Sequence, residues 1–169
     1  VVDTHTIYPH APHRRWDVDI QPVLHVDSGD VVVVETDDFA GGQIVRDSTA
    51  QDLLALDLDA IYPLAGPIHV MGAEPGDVLA VEFLGFEVPD WGWAAILPNL
   101  GLLPSGELDE PYLKIFDLTT GDTTWMREDI GIPVEPFLGT MGVCPADARE
   151  QAIMPPGRFG GNMDTRQLT

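Results

Sequence analysis

The chain has little cysteine and little positive charge, and each shortage excludes a class of protein. Its single cysteine, Cys144, excludes an internal disulfide and a cysteine-based zinc cluster, and it is typical of a reducing, cytoplasmic compartment. Eight Lys and Arg residues against 28 Asp and Glu residues give a formal net charge of −20. This balance argues against nucleic acid and anionic membrane surfaces as partners, since both attract clustered cations. No stretch approaches the roughly 18 consecutive apolar residues of a membrane span.

The charged residues are also unevenly chosen within each sign. Lys114 is the only lysine, and aspartate outnumbers glutamate by 19 to 9. Two explanations stay open. One is adaptation to high salt, where an acidic surface stays soluble while salt screens its self-repulsion, and the other is an arginine-rich, lysine-poor genome. Under either one, the charge bears on solubility rather than on mechanism.

Length and turn residues predict one β-rich domain over residues 1–169. The 17 glycines and 15 prolines fall between short apolar runs at fairly even intervals, as turns do. The runs at 31–36 and 78–88 are rich in β-branched and aromatic residues, which predicts strands. The pattern favours an all-β sandwich or barrel with small helical insertions.

Two local patterns refine this expectation. Residues 114–118 and 123–126 flank a turn that contains Gly121, and this arrangement predicts a hairpin. Ser48 and Gln51 have capping-box spacing ahead of a leucine-rich stretch, which predicts a helix of two or three turns over 48–58.

Carboxylates and glycines follow the predicted strand at 31–36. Asp37 and Asp38 come after its valines, and Gly41, Gly42 and Gln43 come next. Paired glycines allow backbone to approach a ligand closely or to adopt a positive φ. Carboxylates at such a point suit a bound cation or a proton-transfer role. An acidic turn in an acid-rich protein is the alternative.

The least generic stretch lies near residue 160. Gly160 and Gly161 carry no side-chain bulk, and in an extended chain Asn162 and Asp164 point to the same side. An amide and a carboxylate on one face can bind a carboxamide substrate or a metal-bound water. We therefore take these residues as a candidate site, with a structural loop as the alternative.

The histidines and the cysteine give weaker signals. His13 ends a proline-rich loop, so it is either presented toward a site or exposed and bonded to backbone. Cys144 has no histidine nearby in sequence and predicts a buried structural thiol. The chain has neither a Gly-x-Ser-x-Gly elbow nor a phosphate-binding glycine loop.

Seven motifs appear in one order across residues 13–168, and together they resemble the acetamidase/formamidase family. The resemblance implies a β-sandwich of jelly-roll type and the hydrolysis of a small aliphatic amide, of the acetamide or formamide class, to a carboxylate and ammonia. The motifs are Arg15-Trp16-Asp17, Gly41-Gly42-Gln43-Ile44, Pro63-Leu64-Ala65-Gly66-Pro67-Ile68, Gly72-Ala73-Glu74-Pro75-Gly76-Asp77-Val78-Leu79, Trp91-Gly92-Trp93, Glu110-Pro111-Tyr112-Leu113-Lys114 and Gly160-Gly161-Asn162-Met163-Asp164.

The resemblance also implies that the chain is the N-terminal part of a longer fold. Family members continue well beyond the Gly160–Asp164 motif, so we expect a second polypeptide or a C-terminal half to complete the fold, and we expect a homo-oligomer. A non-catalytic binding or structural β-domain that keeps the amidase framework is the second hypothesis.

The residues that match polar positions of the family define a predicted site. With no credible Ser or Cys nucleophile, we expect water activated by a divalent ion, Zn²⁺ first and Ca²⁺ second. Asn162 would orient the substrate amide, with Asp38 and Asp164 catalytic. The predicted metal ligands are His13, Asp38 and Asp164 together with groups from the missing half. Gln43, Gly160 and Gly161 are predicted to contact substrate or to support a ligand.

Overall fold

Short β-strands separated by turns make up almost all of the regular structure. A computed structural model of the chain describes residues 2–8, 12–101 and 106–166. Within them the only helix is a short 3-10 turn at Asp52–Ala55. The strands are β1 (Thr4–Ile7), β2 (Leu24–Val26), β3 (Val31–Val34), β4 (Ile68–Val70), β5 (Trp91–Ile96), β6 (Tyr112–Asp117), β7 (Thr123–Arg127), β8 (Ile130–Pro133), β9 (Thr140–Gly142) and β10 (Gly160–Asn162).

In the described part of the chain these strands form five two-stranded pairs. β1 pairs with β3 and β2 with β4 in parallel, while β5 with β6, β7 with β8 and β9 with β10 are antiparallel. The predicted all-β class is thereby confirmed. No helix among the described residues is long and apolar enough to cross a membrane.

Two strand predictions need correction. The stretch 78–88 is not a strand among the described residues, although its sequence is strand-like. The predicted hairpin is wrong in its pairing, because β6 pairs with β5 and β7 with β8. β6 ends where the Asp117 carboxylate accepts hydrogen bonds from the backbone N–H and the hydroxyl of Thr119, at 2.9 and 2.7 Å.

The predicted helix at 48–58 is shorter than expected. The Ser48 hydroxyl accepts the Val45 N–H at 3.0 Å, so it closes the preceding turn instead of capping a helix. Asp52 accepts the Thr49 N–H, and Leu56 is extended with ψ of 131°. Only the single 3-10 turn at Asp52–Ala55 remains, because these side chains hydrogen-bond to local backbone outside a helix.

The chain divides into two compact units. The first contains Val1–Gly42, Leu58–Glu82 and Leu138–Thr165, and the second contains Gln43–Asp57, Phe83–Phe137 and Arg166–Thr169. In the first unit, buried Trp16, Ala148 and Ile153 form a cluster. Its partly buried neighbours are Val18, Tyr62, Leu64, Cys144 and Phe159.

A buried carboxylate holds the chain on both sides of this cluster. Asp17 is 8% exposed, and its oxygens accept the N–H of Asp19 at 2.9 Å and of Glu150 at 3.3 Å. The hydrogen bond from Asp19 is the largest cause that holds the pKa of Asp17 below its usual 3.8, with further lowering by Glu150 and by the Arg15 side chain. Asp17 therefore joins segments 133 positions apart in the sequence.

Replacing Asp17 by Asn is expected to reduce the acid sensitivity of the fold. Because the folded state lowers the pKa of Asp17, its carboxylate stabilises the fold above the unfolded value of 3.8, and that stability is lost as the pH falls through the folded value. Urea unfolding between pH 7 and pH 3 should show a shallower loss of stability in Asp17→Asn than in the wild type. Asp19→Asn is the control, since the Asp19 side chain is 76% exposed. An unchanged slope in Asp17→Asn would contradict this assignment.

Candidate functional site

The candidate site is built on two glycine-bearing strands that lie unusually close together. Gly142 of β9 pairs with Gly160 of β10. A Cβ on Gly160 would lie 2.5 Å from the Met141 carbonyl oxygen, and one on Gly142 would lie 2.7 Å from that of Phe159. Gly160 has φ of 95° and Gly161 of 103°, which glycine adopts without steric cost. Gly142 and Gly160 therefore permit this approach, and a contact of Gly160 and Gly161 with substrate stays a prediction.

The β9 strand fixes the Asn162 side chain. The Thr140 hydroxyl donates a hydrogen bond to Asn162 Oδ1 at 3.3 Å, across the β9–β10 register. With Oδ1 accepting this bond, the NH₂ group of Asn162 is the donor that the side chain can offer to a ligand.

Asp164 lies just beyond β10 and is held by the same neighbouring segment. The Gly139 carbonyl accepts the N–H groups of both Met163 and Asp164 at 3.0 Å. Asp164 adopts φ of 46°, a left-handed conformation that few residues other than glycine and Asn or Asp adopt. Its side chain is exposed.

Tyr62 packs against the loop that carries Asp38. Burial is the main cause that raises the pKa of Tyr62 above its usual 10.0, while a side-chain hydrogen bond with Thr140 lowers it and the negative charge of Asp164 raises it. The Tyr62 N–H donates to the Phe39 carbonyl at 2.8 Å, and the two rings meet edge to face with centroids 5.0 Å apart.

The Asp38 loop has the glycine-dependent geometry that the sequence predicts. The Gly41 N–H donates to the Asp38 carbonyl at 3.0 Å, and the Gly42 N–H donates to Asp38 Oδ1 at 3.2 Å. Gly41 and Gly42 have φ of 63° and 79°. The exposed Asp38 carboxylate is thus held next to Phe39, the residue that Tyr62 contacts.

His13 lies in the same unit, and its backbone is bonded to that of Leu64, two residues after Tyr62 in the sequence. His13 and Leu64 exchange backbone hydrogen bonds at 3.2 and 2.9 Å, and His13 Nδ1 lies 2.9 Å from the Arg15 carbonyl oxygen. Burial is the main cause that lowers the pKa of His13 below 6.5, opposed by the bond to the Arg15 carbonyl. The imidazole is therefore neutral at pH 7, with Nδ1 as the donor to Arg15.

Gln43 belongs to the other unit, where its side chain hydrogen-bonds to the backbone of Asp57. Its Nε2 donates to the Asp57 carbonyl at 3.2 Å, and its Oε1 accepts the Asp57 N–H at 2.8 Å. These bonds close the 43–57 segment. A role for Gln43 toward a ligand stays a prediction.

The first unit thus holds the segment of Asn162 and Asp164 through Thr140 and the Gly139 carbonyl, and Tyr62 holds the Asp38 loop through Phe39. Sequence reasoning missed Thr140 and Tyr62. A threonine in a strand does not by itself indicate a site, and Pro63 restricts the backbone of Tyr62 without showing what its side chain contacts. Across residues 2–8, 12–101 and 106–166, no group of three or more His, Cys, Asp or Glu side chains is placed to hold a metal ion. His13, Asp38 and Asp164 are therefore not a complete ligand set by themselves.

Comparisons with known proteins identify the class to which this fold and site belong. The model of the acetamidase/formamidase family matches residues 3–154. The acetamidase of Bacillus halodurans has a similar structure, with a TM-score of 0.88 and 29% identity, over 97% of this chain and 54% of that one. The structure of a recombinant predicted acetamidase/formamidase from the thermophile Thermoanaerobacter tengcongensis also matches with a TM-score of 0.88, at 31% identity, over 100% of this chain and 55% of that one.

The chain belongs to the acetamidase/formamidase family, as its motifs indicate. The formamidase of Methylophilus methylotrophus is 40% identical over 84 residues, which are 48% of this chain and 21% of that protein. The chain spans about half the length of the two solved structures. Asn162 and Asp164 lie outside the stretch matched by the family model but inside that matched by the Thermoanaerobacter structure.

Replacing Gly160 by Ala is expected to destabilise the chain more than the same change at Gly121. Both glycines have positive φ, 95° and 93°, so both variants lose about 1–2 kcal/mol to backbone strain. Gly121 has open space around the added methyl, whereas the methyl at Gly160 meets the Met141 carbonyl. We expect an additional loss of about 1–3 kcal/mol at Gly160, from overpacking, measured by urea unfolding. Equal losses in the two variants would contradict the close approach of β9 and β10.

Proposed function

We propose that this chain is part of an amidase that hydrolyses a small aliphatic carboxamide, of the acetamide or formamide class, to a carboxylate and ammonia. Membership of the acetamidase/formamidase family supports the reaction class. The names of the formamidase of Methylophilus methylotrophus and the acetamidase of Bacillus halodurans support the substrate class.

The observation that carries the proposal is the hydrogen bond from Thr140 that holds the Asn162 amide, with the Asp164 carboxylate two residues further along the chain. Amide hydrolysis requires a donor for the carbonyl oxygen, which becomes negative in the transition state, and groups that move protons between water and the leaving nitrogen. The bond from Thr140 leaves the NH₂ group of Asn162 to donate to the substrate carbonyl. Asp164 can accept a proton from the attacking water, and Asp38 is the second candidate for this role.

Water, rather than a side chain, is the proposed nucleophile. The only cysteine, Cys144, packs partly buried against the Trp16 cluster, and burial is the main cause that raises its pKa above 9.0. A raised pKa disfavours the thiolate, which is the reactive form. We therefore assign Cys144 a packing role.

A divalent ion, Zn²⁺ before Ca²⁺, stays a hypothesis. The described residues do not bring three such ligands together. Asp38 and Asp164, with His13, would contribute to such a site only together with ligands from the rest of the family fold. When bound, the ion would lower the pKa of a water molecule.

The activity is tested by ammonia release from acetamide and formamide. Asp164→Asn should retain the fold, because Asn tolerates the left-handed backbone at φ of 46°, yet it should lose about 100-fold or more in kcat because the proton acceptor is gone. Asp38→Asn tests the second carboxylate, and Asp19→Asn is the exposed control. No ammonia release by the wild-type protein, or full activity in Asp164→Asn, would overturn the proposal.

The metal hypothesis has its own measurement. Elemental analysis of the purified protein and activity after chelation decide it. Full activity in metal-free protein would remove the ion from the mechanism without touching the roles of Asn162 and Asp164.

We further propose that a second polypeptide carrying the remaining half of the family fold covers the segment 78–88. Large apolar side chains are exposed along it, with Val78 at 95% and Leu84 at 70%. Buried Trp16 also has an Nε1–H without a hydrogen-bond acceptor among the described residues. An unpaired buried donor costs about 1–3 kcal/mol, so an acceptor from outside this part of the chain would stabilise the fold. Solved relatives of about twice the length support the existence of such a remaining half.

Leu84→Lys should weaken this association, because it places a charge in an apolar contact. Sedimentation of the purified wild type should give a mass well above the 18.4 kDa of one chain, and a denaturing gel should show a second band. Leu84→Lys should shift the mass toward a single chain. Leu58→Lys is the matched control, since Leu58 is also 70% exposed but lies outside the segment. A lone wild-type chain, or an assembly of identical chains only, would contradict the proposal.

A further inference from the structure

We propose that His25 and His69 form a two-histidine site for a divalent transition-metal ion of the Cu²⁺, Ni²⁺ or Zn²⁺ class. Both residues belong to the first unit, and they come from strands that are distant in sequence, β2 and β4. The proposed amide hydrolysis uses neither histidine, so this inference does not rest on the proposed function.

The pairing of β2 with β4 places the two imidazoles side by side. His25 is the register partner of His69 in this parallel pair. A further backbone hydrogen bond continues the ladder past His69, from the Met71 N–H to the Val26 carbonyl at 2.8 Å. The ladder therefore fixes the register, and a shift by one residue would move the two histidines to opposite faces of the pair.

Both histidine rings face solvent. Val26 is buried, and side chains alternate between the two faces of a strand, so His25 lies on the opposite face. His25 and His69 are both exposed. Across residues 2–8, 12–101 and 106–166 the two rings contact each other, and neither ring has a hydrogen-bond partner. Each ring is therefore able to turn a nitrogen lone pair toward an ion.

The distance between the rings fits one shared ion. The ring centroids of His25 and His69 lie 5.1 Å apart, and the ring planes are tilted by 53°. Two imidazoles on one tetrahedral zinc ion, with Zn–N bonds of about 2.0–2.1 Å, have centroids about 5 Å apart. Imidazole nitrogen suits Cu²⁺, Ni²⁺ and Zn²⁺, whereas Ca²⁺ and Mg²⁺ prefer oxygen ligands. The pair therefore selects the transition-metal class, and binding requires no movement of the backbone.

The site has two protein ligands, and water fills the remaining positions. In the part of the chain that the structure describes, no third His, Cys, Asp or Glu side chain joins the pair. The net charge of −20 attracts cations to the surface. A bound ion would link β2 to β4 in the folded state only, and it would thereby stabilise the fold. A ring contact between strands that binds no metal is the competing explanation.

Calorimetric titration with Cu²⁺ tests the site, because Cu²⁺ binds imidazole more tightly than Ni²⁺ or Zn²⁺ does. The wild type should bind an ion whose affinity falls about 10-fold or more in His25→Gln and equally in His69→Gln, because each variant removes one of two linked ligands. His13→Gln is the matched control and should keep this affinity, since an ion at the candidate active site would be lost there instead. Electron paramagnetic resonance of the Cu²⁺ complex should show two bound imidazoles in the wild type and one in each single variant.

Thermal unfolding gives a second readout. Ni²⁺ at about 100 times its dissociation constant should raise the wild-type melting temperature by about 5–10 °C, and the rise should be lost in both variants. Without metal, His25→Gln and His69→Gln should melt within a few degrees of the wild type, because both side chains are exposed. Equal Cu²⁺ affinity in the wild type and both variants overturns the site. Loss of affinity in only one of them, or only in His13→Gln, overturns the shared ion, which requires both histidines.

Discussion

The contact between the backbones of Gly142 and Gly160 is the constraint on which the candidate site depends. A side chain at either position would meet a carbonyl oxygen, at 2.7 and 2.5 Å respectively. The absence of side chains lets β9 and β10 pair in the register that places Asn162 opposite Thr140. From that register follow the hydroxyl bond to Asn162 and the two N–H bonds that the Gly139 carbonyl accepts from Met163 and Asp164. A shift by one residue would move Asn162 to the opposite face.

The excess of acid over base shapes how this chain stabilises its turns. With eight cations for 28 carboxylates, most carboxylates cannot find a cationic partner. Local hydrogen-bond donors in the turns take that place. A backbone N–H is the largest cause of the lowered pKa at Asp17, Asp30 and Asp52. At Asp117 the largest cause of the lowered pKa is the side chain of Thr119. Aspartate suits this role because its short side chain reaches N–H groups two or three residues away. The preference for aspartate over glutamate therefore has a structural use in addition to its effect on solubility.

The sequence predicts the class of fold better than its pairings. Turn residues between β-branched runs gave the all-β class and the strand at 31–34, since both depend on local preferences. The partners of β6 and β7 depend on contacts distant in sequence, and the Asp117 turn between them resembles a hairpin turn locally. The stretch 78–88 has strand composition but no strand partner among the described residues. Composition indicates that a segment can form a strand, and it does not show whether a neighbouring strand is present.

The site residues likewise divide into those that local sequence patterns indicate and those that depend on contacts distant in sequence. Sequence patterns indicated Asp38, Asn162 and Asp164 because glycines flank them, and their roles stay a prediction. They could not indicate Thr140, which lies opposite Asn162 only because β9 pairs with β10, 22 positions away in the sequence. Orienting the Asn162 amide requires only groups within this chain, whereas a metal would require ligands beyond its described residues. In the proposed amidase, the bond from Thr140 leaves the NH₂ group of Asn162 to donate to the substrate carbonyl, and the rest of the family fold would supply whatever activates the attacking water beyond Asp38 and Asp164.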